Sequence, residues 1–171
     1  MSKKILKLES ERLILKPLSF EELIYITSNM IESIGNSIEF EAISDIVKCA
    51  TAKKIEKMKN INKDIHKWYT YWLIIDKNNK KGIGFIGFKG VPDKMGYSEV
   101  GYSISRNYRK KGLMTEALSL MINWASTFSD CKGIIAKRVL KSNIGSNRVL
   151  NNCNFDLIDS VNGENTYLLK F

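Results

Sequence analysis

The sequence predicts a mixed α/β (α+β) fold in one domain spanning residues 1–171, and three observations carry that expectation. A chain of 171 residues that is 44% hydrophobic and 26% charged is long enough and apolar enough to bury one substantial core. YTYWLIID (69–76) and GIGFIGFKG (82–90), rich in β-branched and aromatic residues and separated by the polar KNNKK (77–81), read as a β-hairpin. SEVGYSIS (98–105) reads as a strand that passes through a basic turn into a helix starting near Gly112.

The elements follow in order. RLILKPL (12–18) reads as a first strand with Leu13 and Leu15 on one face and a proline at its end. Ser19 is placed to cap a helix whose first turn carries Glu21 and Glu22, where carboxylates suit the positive end of the helix dipole. A second helix is expected from about Glu41 to Lys59, with Ile43, Ile46, Val47 and Ala50 at helical spacing. After the hairpin, GVPDKMG (90–96) is a loop. In the helix after Gly112, Met114, Leu118, Met121 and Ala125 recur at i, i+4, i+7 and i+11, with Leu113, Ala117, Leu120 and Trp124 beside them. That pattern gives the helix a broad buried face. No internal repeat or low-complexity linker interrupts the chain.

Composition narrows the functional classes. No run of about 20 apolar residues is present, so no transmembrane helix is expected. The first residues lack an apolar core and a cleavage site, so a secretory signal is not expected either. Cys49, Cys131 and Cys153 are odd in number and widely spaced, which suits a reducing cytoplasm with neither a disulfide framework nor a zinc site. His66 is the single histidine and has no second ligand to make a metal site. A net charge of +9 admits nucleic acid, an acidic membrane surface or a phosphorylated small molecule as partner. The lysine pairs at 3–4, 53–54 and 80–81 form no continuous stripe, however, and read as solvated faces and turn tips. Neither a nucleic-acid nor a membrane partner is therefore expected.

Two glycine sites compete for a nucleotide. GIGFIG (82–87) matches G-x-G-x-x-G, but its glycines lie within a strand and run on into a loop, with no helix opening on them. It reads as an inner strand whose glycines permit a bulge or tight packing. RKKG (109–112) has what the first site lacks: a strand before it and a buried helix after it. Free N–H groups and the positive dipole end at such a helix start favour an anion. Gly112 lets a phosphate approach the backbone, and Arg109, Lys110 and Lys111 add charge. The spacing of an ATP-type P-loop is absent.

These residues carry a family resemblance. RKKGLMTEA (109–117) resembles the acetyl-coenzyme A signature R/Q-x-x-G-x-G/A of the GNAT N-acetyltransferases, with Arg109, Gly112 and Met114 at its three positions. NIGSNRVLNNCNF (143–155) is similar to a second segment of the family: Asn143, Ser146 and Phe155 match, whereas Leu150 stands where many members carry Tyr and Asn154 where Gly is usual. EVGYSIS (99–105) looks like the strand leading into the signature, and ERLILKPL (11–18) like the first strand of the branch that acetylates ribosomal-protein N-termini.

The resemblance implies a central, mostly antiparallel sheet splayed at its middle strands, with helices on both faces. It implies acetyl-CoA as cosubstrate, no metal, and transfer to a primary amine, most like a protein N-terminus. Arg109, Lys110, Lys111, Gly112, Leu113, Met114 and Thr115 would cradle the pyrophosphate. The strand end at Ile104, Ser105 and Arg106 would pair with the pantetheine arm as an added strand. Asn143, with Ser146, would contact the arm after the strand GIIAKRVL (133–140), and an N–H near Ile104 would polarise the thioester carbonyl. Glu99 is the candidate general base, its alternative being a strand carboxylate paired with a lysine. With Leu150 in place of Tyr, Ser146 or water is left as the acid. Tyr102 and Tyr108 read as wall and packing residues. Trp68, Tyr69, Tyr71 and Trp72 read as core, with one or two left to line the acceptor cleft, and Cys131 and Cys153 as buried hydrophobes. A small-molecule amine such as a polyamine or aminoglycoside is the alternative acceptor, to which Glu39, Glu41 and Glu99 would offer an acidic cleft. A non-catalytic CoA-binding module is the alternative class. The oligomeric state, a homodimer included, stays open.

Overall fold

The computed structural model describes residues 6–171, so the lysine pair at 3–4 lies outside the described residues. Its elements are β1 (Leu8–Glu9), β2 (Leu13–Pro17), α1 (Phe20–Thr27), α2 (Asp45–Met58), β3 (Trp72–Asp76), β4 (Gly82–Phe88), β5 (Tyr97–Ile104), α3 (Leu113–Ser126), β6 (Gly133–Leu140), α4 (Ile144–Asn152), β7 (Asp156–Val161) and β8 (Glu164–Lys170). The strands form one eight-stranded sheet in the order β1-β2-β3-β4-β5-β6-β8-β7. Neighbours are antiparallel except β5 and β6, which are parallel.

The two faces of β3 explain the layers. Trp72 and Ile74 join one apolar cluster with Leu118, Met121 and Trp124 of α3 and Leu150 of α4. Leu73 and Ile75 join a second with Leu23 and Ile26 of α1 and Val47 and Met58 of α2. Because successive strand side chains point to opposite faces, an unbroken apolar run such as WLII means burial on both. The helices therefore cover both faces, as the resemblance implies. The aromatic run belongs mainly to this core: the Trp68 and Trp72 rings pack tilted against Trp124, at centroid distances of 4.6 and 5.2 Å.

Ser19 caps α1 in a capping box: its hydroxyl accepts the Glu22 N–H (3.1 Å) and Glu22 accepts the Ser19 N–H (2.8 Å). The expected second helix is corrected. Residues 40–42 form a separate 3-10 turn, and α2 starts only at Asp45, where the Ser44 hydroxyl accepts the Val47 N–H (3.3 Å). That start leaves Ile46 81% exposed, and the buried face is Val47, Thr51, Lys54 and Met58. The β7–β8 hairpin went unread in the sequence although its turn is Asn162-Gly163, both with positive φ (51° and 78°), the dipeptide that suits such a turn.

GIGFIG is β4, buried along its whole length between β3 and β5. A β-carbon at Gly84 would collide with the Ser103 carbonyl oxygen and sit 2.9 Å from the Ile104 Cα. Glycine here sets how closely β4 can hold β5. Gly84→Ala is expected to lower unfolding free energy by about 2 kcal/mol, since two backbones must separate to admit one methyl group. Urea denaturation measures this, and an unchanged midpoint would contradict the close approach.

Candidate functional site

β5 and β6 pair at Tyr97–Gly133, Ser98–Ile134 and Glu99–Ile135, and then part. Beyond that fork β5 stays bonded to β4, whereas β6 follows β8 through a bulge between Ala136 and Val139. The Lys89 N–H donates to the Glu99 carbonyl (2.8 Å) and the Ser105 N–H to the Ile83 carbonyl (2.8 Å), so the odd-numbered residues of β5 turn their backbone toward β4. Alternation along a strand then turns the N–H and C=O groups of Val100, Tyr102 and Ile104 toward the gap. A β-carbon at Gly101 would meet nothing within 4 Å, which marks open space on the face that carries Glu99.

The gap's mouth leads to the start of α3. Gly112 is the N-cap residue with φ 73°, Lys110 has φ 60°, and no side chain caps the helix among the described residues. Left-handed residues in a turn that opens a helix leave backbone N–H groups facing outward, which suits an anion. Arg109, Lys110, Lys111 and Gly112 are exposed there. Leu113 and Met114 bury their side chains and leave only backbone facing outward, so Met114 is accommodated where Gly or Ala is usual. Thr115 is half-buried.

A charged strap holds this turn. The Arg12 guanidinium pairs with Glu116 (2.6 Å) and donates to the Lys111 carbonyl (2.9 Å), while the Ser10 hydroxyl and Arg12 N–H donate to Glu116 (2.6 and 2.9 Å). Burial opposes the Glu116 charge, yet these bonds hold its carboxyl below the usual range. The Arg109 guanidinium donates to the Ile104 carbonyl (3.3 Å) and ties the turn to the strand end. Ser105 is buried with its N–H bonded to Ile83 and its carbonyl accepting the Tyr108 N–H (3.0 Å), so its backbone is already committed. Arg106 opens the short turn that follows and is exposed.

On the opposite wall, Asn143 caps α4 by accepting the Ser146 N–H (3.1 Å). Asn147, which sequence reading passed over, anchors that helix: its amide donates to the Leu140 and Asn143 carbonyls (2.9 and 2.7 Å) and accepts from Asn165 and Tyr167 (2.9 and 2.7 Å). Leu150 is fully buried in the core, and Asn154 has φ 61°, a conformation asparagine tolerates in place of glycine. The Tyr102 hydroxyl spans the gap and donates to the Ser146 carbonyl (3.3 Å), and burial pushes its pKa up. Tyr102 thus puts a phenol between β5 and α4, a placement that strand periodicity alone did not reveal.

Glu99 lies on the other face at the fork and is ion-paired with Lys89. Glu39 pairs with Lys81 (3.2 Å) and accepts the Tyr108 hydroxyl (3.2 Å), near the far end of β5. Five residues of strand, about 17 Å, separate the two ends, so Glu39 and Glu99 do not form one acidic cleft. His66 lies in a 3-10 turn with its Nε2 buried and unpartnered, away from the fork. Burial pushes the Cys131 and Cys153 thiols up, which keeps them unreactive. Among the described residues no group of three metal-ligating side chains converges, and no helix is long and apolar enough to cross a membrane.

A family model described as "Acetyltransferase (GNAT) domain" matches residues 12–156. The "Uncharacterized N-acetyltransferase YjdG" of Bacillus subtilis is 35% identical over 91 residues, 53% of this chain and 54% of that protein. The match thus spans about half the length of this curated relative. Among solved structures, the ribosomal-protein-S5-alanine acetyltransferase of Vibrio fischeri superposes with TM-score 0.61 at 21% identity, covering 95% and 94% of the two chains. The ribosomal L7/L12 α-N-protein acetyltransferase RimL in complex with coenzyme A superposes with TM-score 0.65 at 15% identity, covering 97% and 98%. At these identities the superpositions establish a common fold.

In α2, the buried Lys54 donates to the Phe88 and Tyr69 carbonyls (2.7 and 3.0 Å) and lies over the Tyr71 ring. Desolvation brings its pKa down to about 7 from 10.5, with repulsion from Lys57 and Lys89 adding to the effect. Between those two values the unfolded chain holds a proton that the folded chain has released. Stability should therefore climb from pH 7 toward pH 10, by at most about 1.4 kcal/mol per unit. Lys54→Met should flatten that climb in chemical denaturation, and a flat wild-type profile would mean that Lys54 stays charged.

Proposed function

The chain belongs to the GNAT acetyltransferase domain family, and from that premise we propose that it transfers the acetyl group of acetyl-CoA to a primary amine. The acceptor we favour is a protein or peptide N-terminus of the ribosomal-protein type, attacked directly with both substrates bound. We read residues 1–171 as one such domain, acting in the cytoplasm. The observation that carries the reading is the unpaired β5 edge running into an uncapped helix start.

The fit of acetyl-CoA can be followed along that line. The backbone N–H groups from Lys110 to Thr115, with Arg109, Lys110 and Lys111 around them, suit a pyrophosphate. The free N–H groups of Ile104 and Tyr102 and the free C=O groups of Tyr102 and Val100 suit the amides of a pantetheine arm, which would add to β5 as a strand adds to a sheet edge. Asn143 and Ser146 border that path at the start of α4. Acetyl-CoA supplies an activated acyl group on a thiol leaving group. The chain must orient the acyl carbonyl, accept a proton from the amine and deliver one to the departing sulfur.

If Glu99 is the base, the carbonyl must lie near the fork. The N–H group of Tyr102, rather than that of Ile104, is then the donor that polarises it. An α-amino group with a pKa near 8 is mostly protonated at pH 7, so a carboxylate at Glu99 would draw the ammonium in and then take its proton, directly or through water. Proton delivery to sulfur falls to Ser146 or to the neutral Tyr102 phenol, because Leu150 offers no proton. The core position of Leu150 also favours a second reading, a CoA-binding module without turnover. Release of CoA thiol in the presence of N-terminal peptides separates the two readings.

Gly112→Glu places a carboxylate and a β-carbon at a left-handed position facing the pyrophosphate. It should weaken acetyl-CoA binding by at least about 100-fold in calorimetry with little change in the circular dichroism spectrum. Unchanged affinity would remove this turn from the site. Glu99→Gln should depress turnover most steeply below pH 7, where free amine is scarce, and a pH–rate profile parallel to wild type would remove Glu99 from proton transfer.

A further inference from the structure

We infer that the acceptor carries negative charge beside the amine to be acetylated: the cleft in front of Glu99 fits an acidic peptide N-terminus and disfavours a polycation. This rests on the acetyl-transfer reading of the fork and adds to it the charge class of the acceptor.

A cleft of about 380 Å³ opens at the fork, where Glu99 and Ile135, the last paired residues of β5 and β6, form part of its wall. Charged side chains come to it from separate elements: Lys57 from α2, Lys89 just after β4, Asp93 from the following loop, and Lys137 and Arg138 from β6. Taken one by one, the charges do not cancel. Lys89 and Glu99 neutralise each other in an ion pair. Asp93 is engaged by its own turn, accepting the N–H groups of Met95 (2.8 Å) and Tyr97 (3.1 Å). Lys57 donates to the Lys89 carbonyl (3.0 Å), and among the described residues neither it nor Lys137 nor Arg138 has a carboxylate partner. Three cations therefore remain without a counter-charge around one carboxylate.

The backbone presents two of them deliberately. Lys137 and Arg138 lie within the bulge between Ala136 and Val139, and Arg138 adopts φ 54°. A bulge re-aims side chains and often borders a functional site, and a left-handed non-glycine residue persists only where its surroundings enforce it. The crowding of positive charge reaches the interior: Lys57 and Lys89 both repel a proton on the buried Lys54, whose amine donates to the Phe88 carbonyl. A lone α-ammonium can exchange with Lys89 for the Glu99 carboxylate. A polyamine would bring further cations against Lys57, Lys137 and Arg138, whereas carboxylates at the second and third peptide positions would pair with them.

The test uses the full chain and decapeptides that share an N-terminal alanine followed by two aspartates, two serines or two lysines, with spermidine as the polycation. Thiol release should rank aspartate over serine by about tenfold in kcat/KM and over lysine by about 100-fold, with spermidine at the bottom. Raising salt from 0.05 to 0.5 M should compress the ranking, since exposed charges are screened. The double variant Lys57→Glu/Lys137→Glu, both exposed positions, should reverse it. Fluorescence anisotropy of C-terminally labelled peptides on the CoA-saturated chain gives the same ranking independently of turnover. Equal or reversed affinities would overturn the charge assignment, even if acetylation proceeds. Selective binding of the acidic peptide without thiol release would uphold the assignment and sink the acetyl-transfer reading instead.

Discussion

The structure depends on hydrogen bonds that one strand does not make. β5 is held by β4 along its length, at a spacing that Gly84 permits, while β6 leaves it after Glu99 to stay with β8. A strand in the middle of a sheet normally has both edges satisfied, and an open edge there leaves donors and acceptors that only water or a strand-like ligand can complete. Much of the site follows from this parting. Because β5 ends at the mouth of the gap, the turn that follows places the start of α3 there too. Arg12 and Glu116 then fasten that turn to β2, across about a hundred residues of chain.

The two faces of the fork divide the chemistry. On the α3 and α4 face the groups on offer are mostly backbone: the edge of β5, the first turn of α3 and the cap of α4. Backbone groups constrain side-chain identity weakly, which is why Met114 and Asn154 fit where a smaller residue is usual. On the α1 and α2 face the groups are side chains, and they come from α2, the loop after β4, β5 and β6. A surface assembled from four segments can change its charge one residue at a time without disturbing the opposite face.

This division also explains what could be read from the sequence. The helix start at Gly112 was legible because strand, basic turn and amphipathic helix are consecutive, and local physics alone gives the geometry. The true role of GIGFIG was legible for the same reason: no helix follows it. The start of α2 was misplaced because Ile43 and Ile46 mimic helical spacing, while the hydroxyl of Ser44 sets the real start and leaves Ile46 in solvent. Lys54 could not be recognised as buried, since a lysine in KK looks solvated until the Phe88 carbonyl of β4 and the Tyr69 carbonyl of the turn before β3 are brought to it. Asn147 and the cationic cleft escaped notice for the same reason, being defined by contacts between distant segments. The Asn162-Gly163 turn is different: its signal is local, an Asn-Gly dipeptide with both residues at positive φ.

All three tryptophans, Trp68, Trp72 and Trp124, sit in one aromatic cluster at the far half of α3, with Phe88 and Phe128 around them. Indoles this close share excitation and quench one another, so the intrinsic emission of the chain is an optical gauge of whether α3 is seated on the sheet. Spectral change would therefore report how α3 packs against β3 and β4.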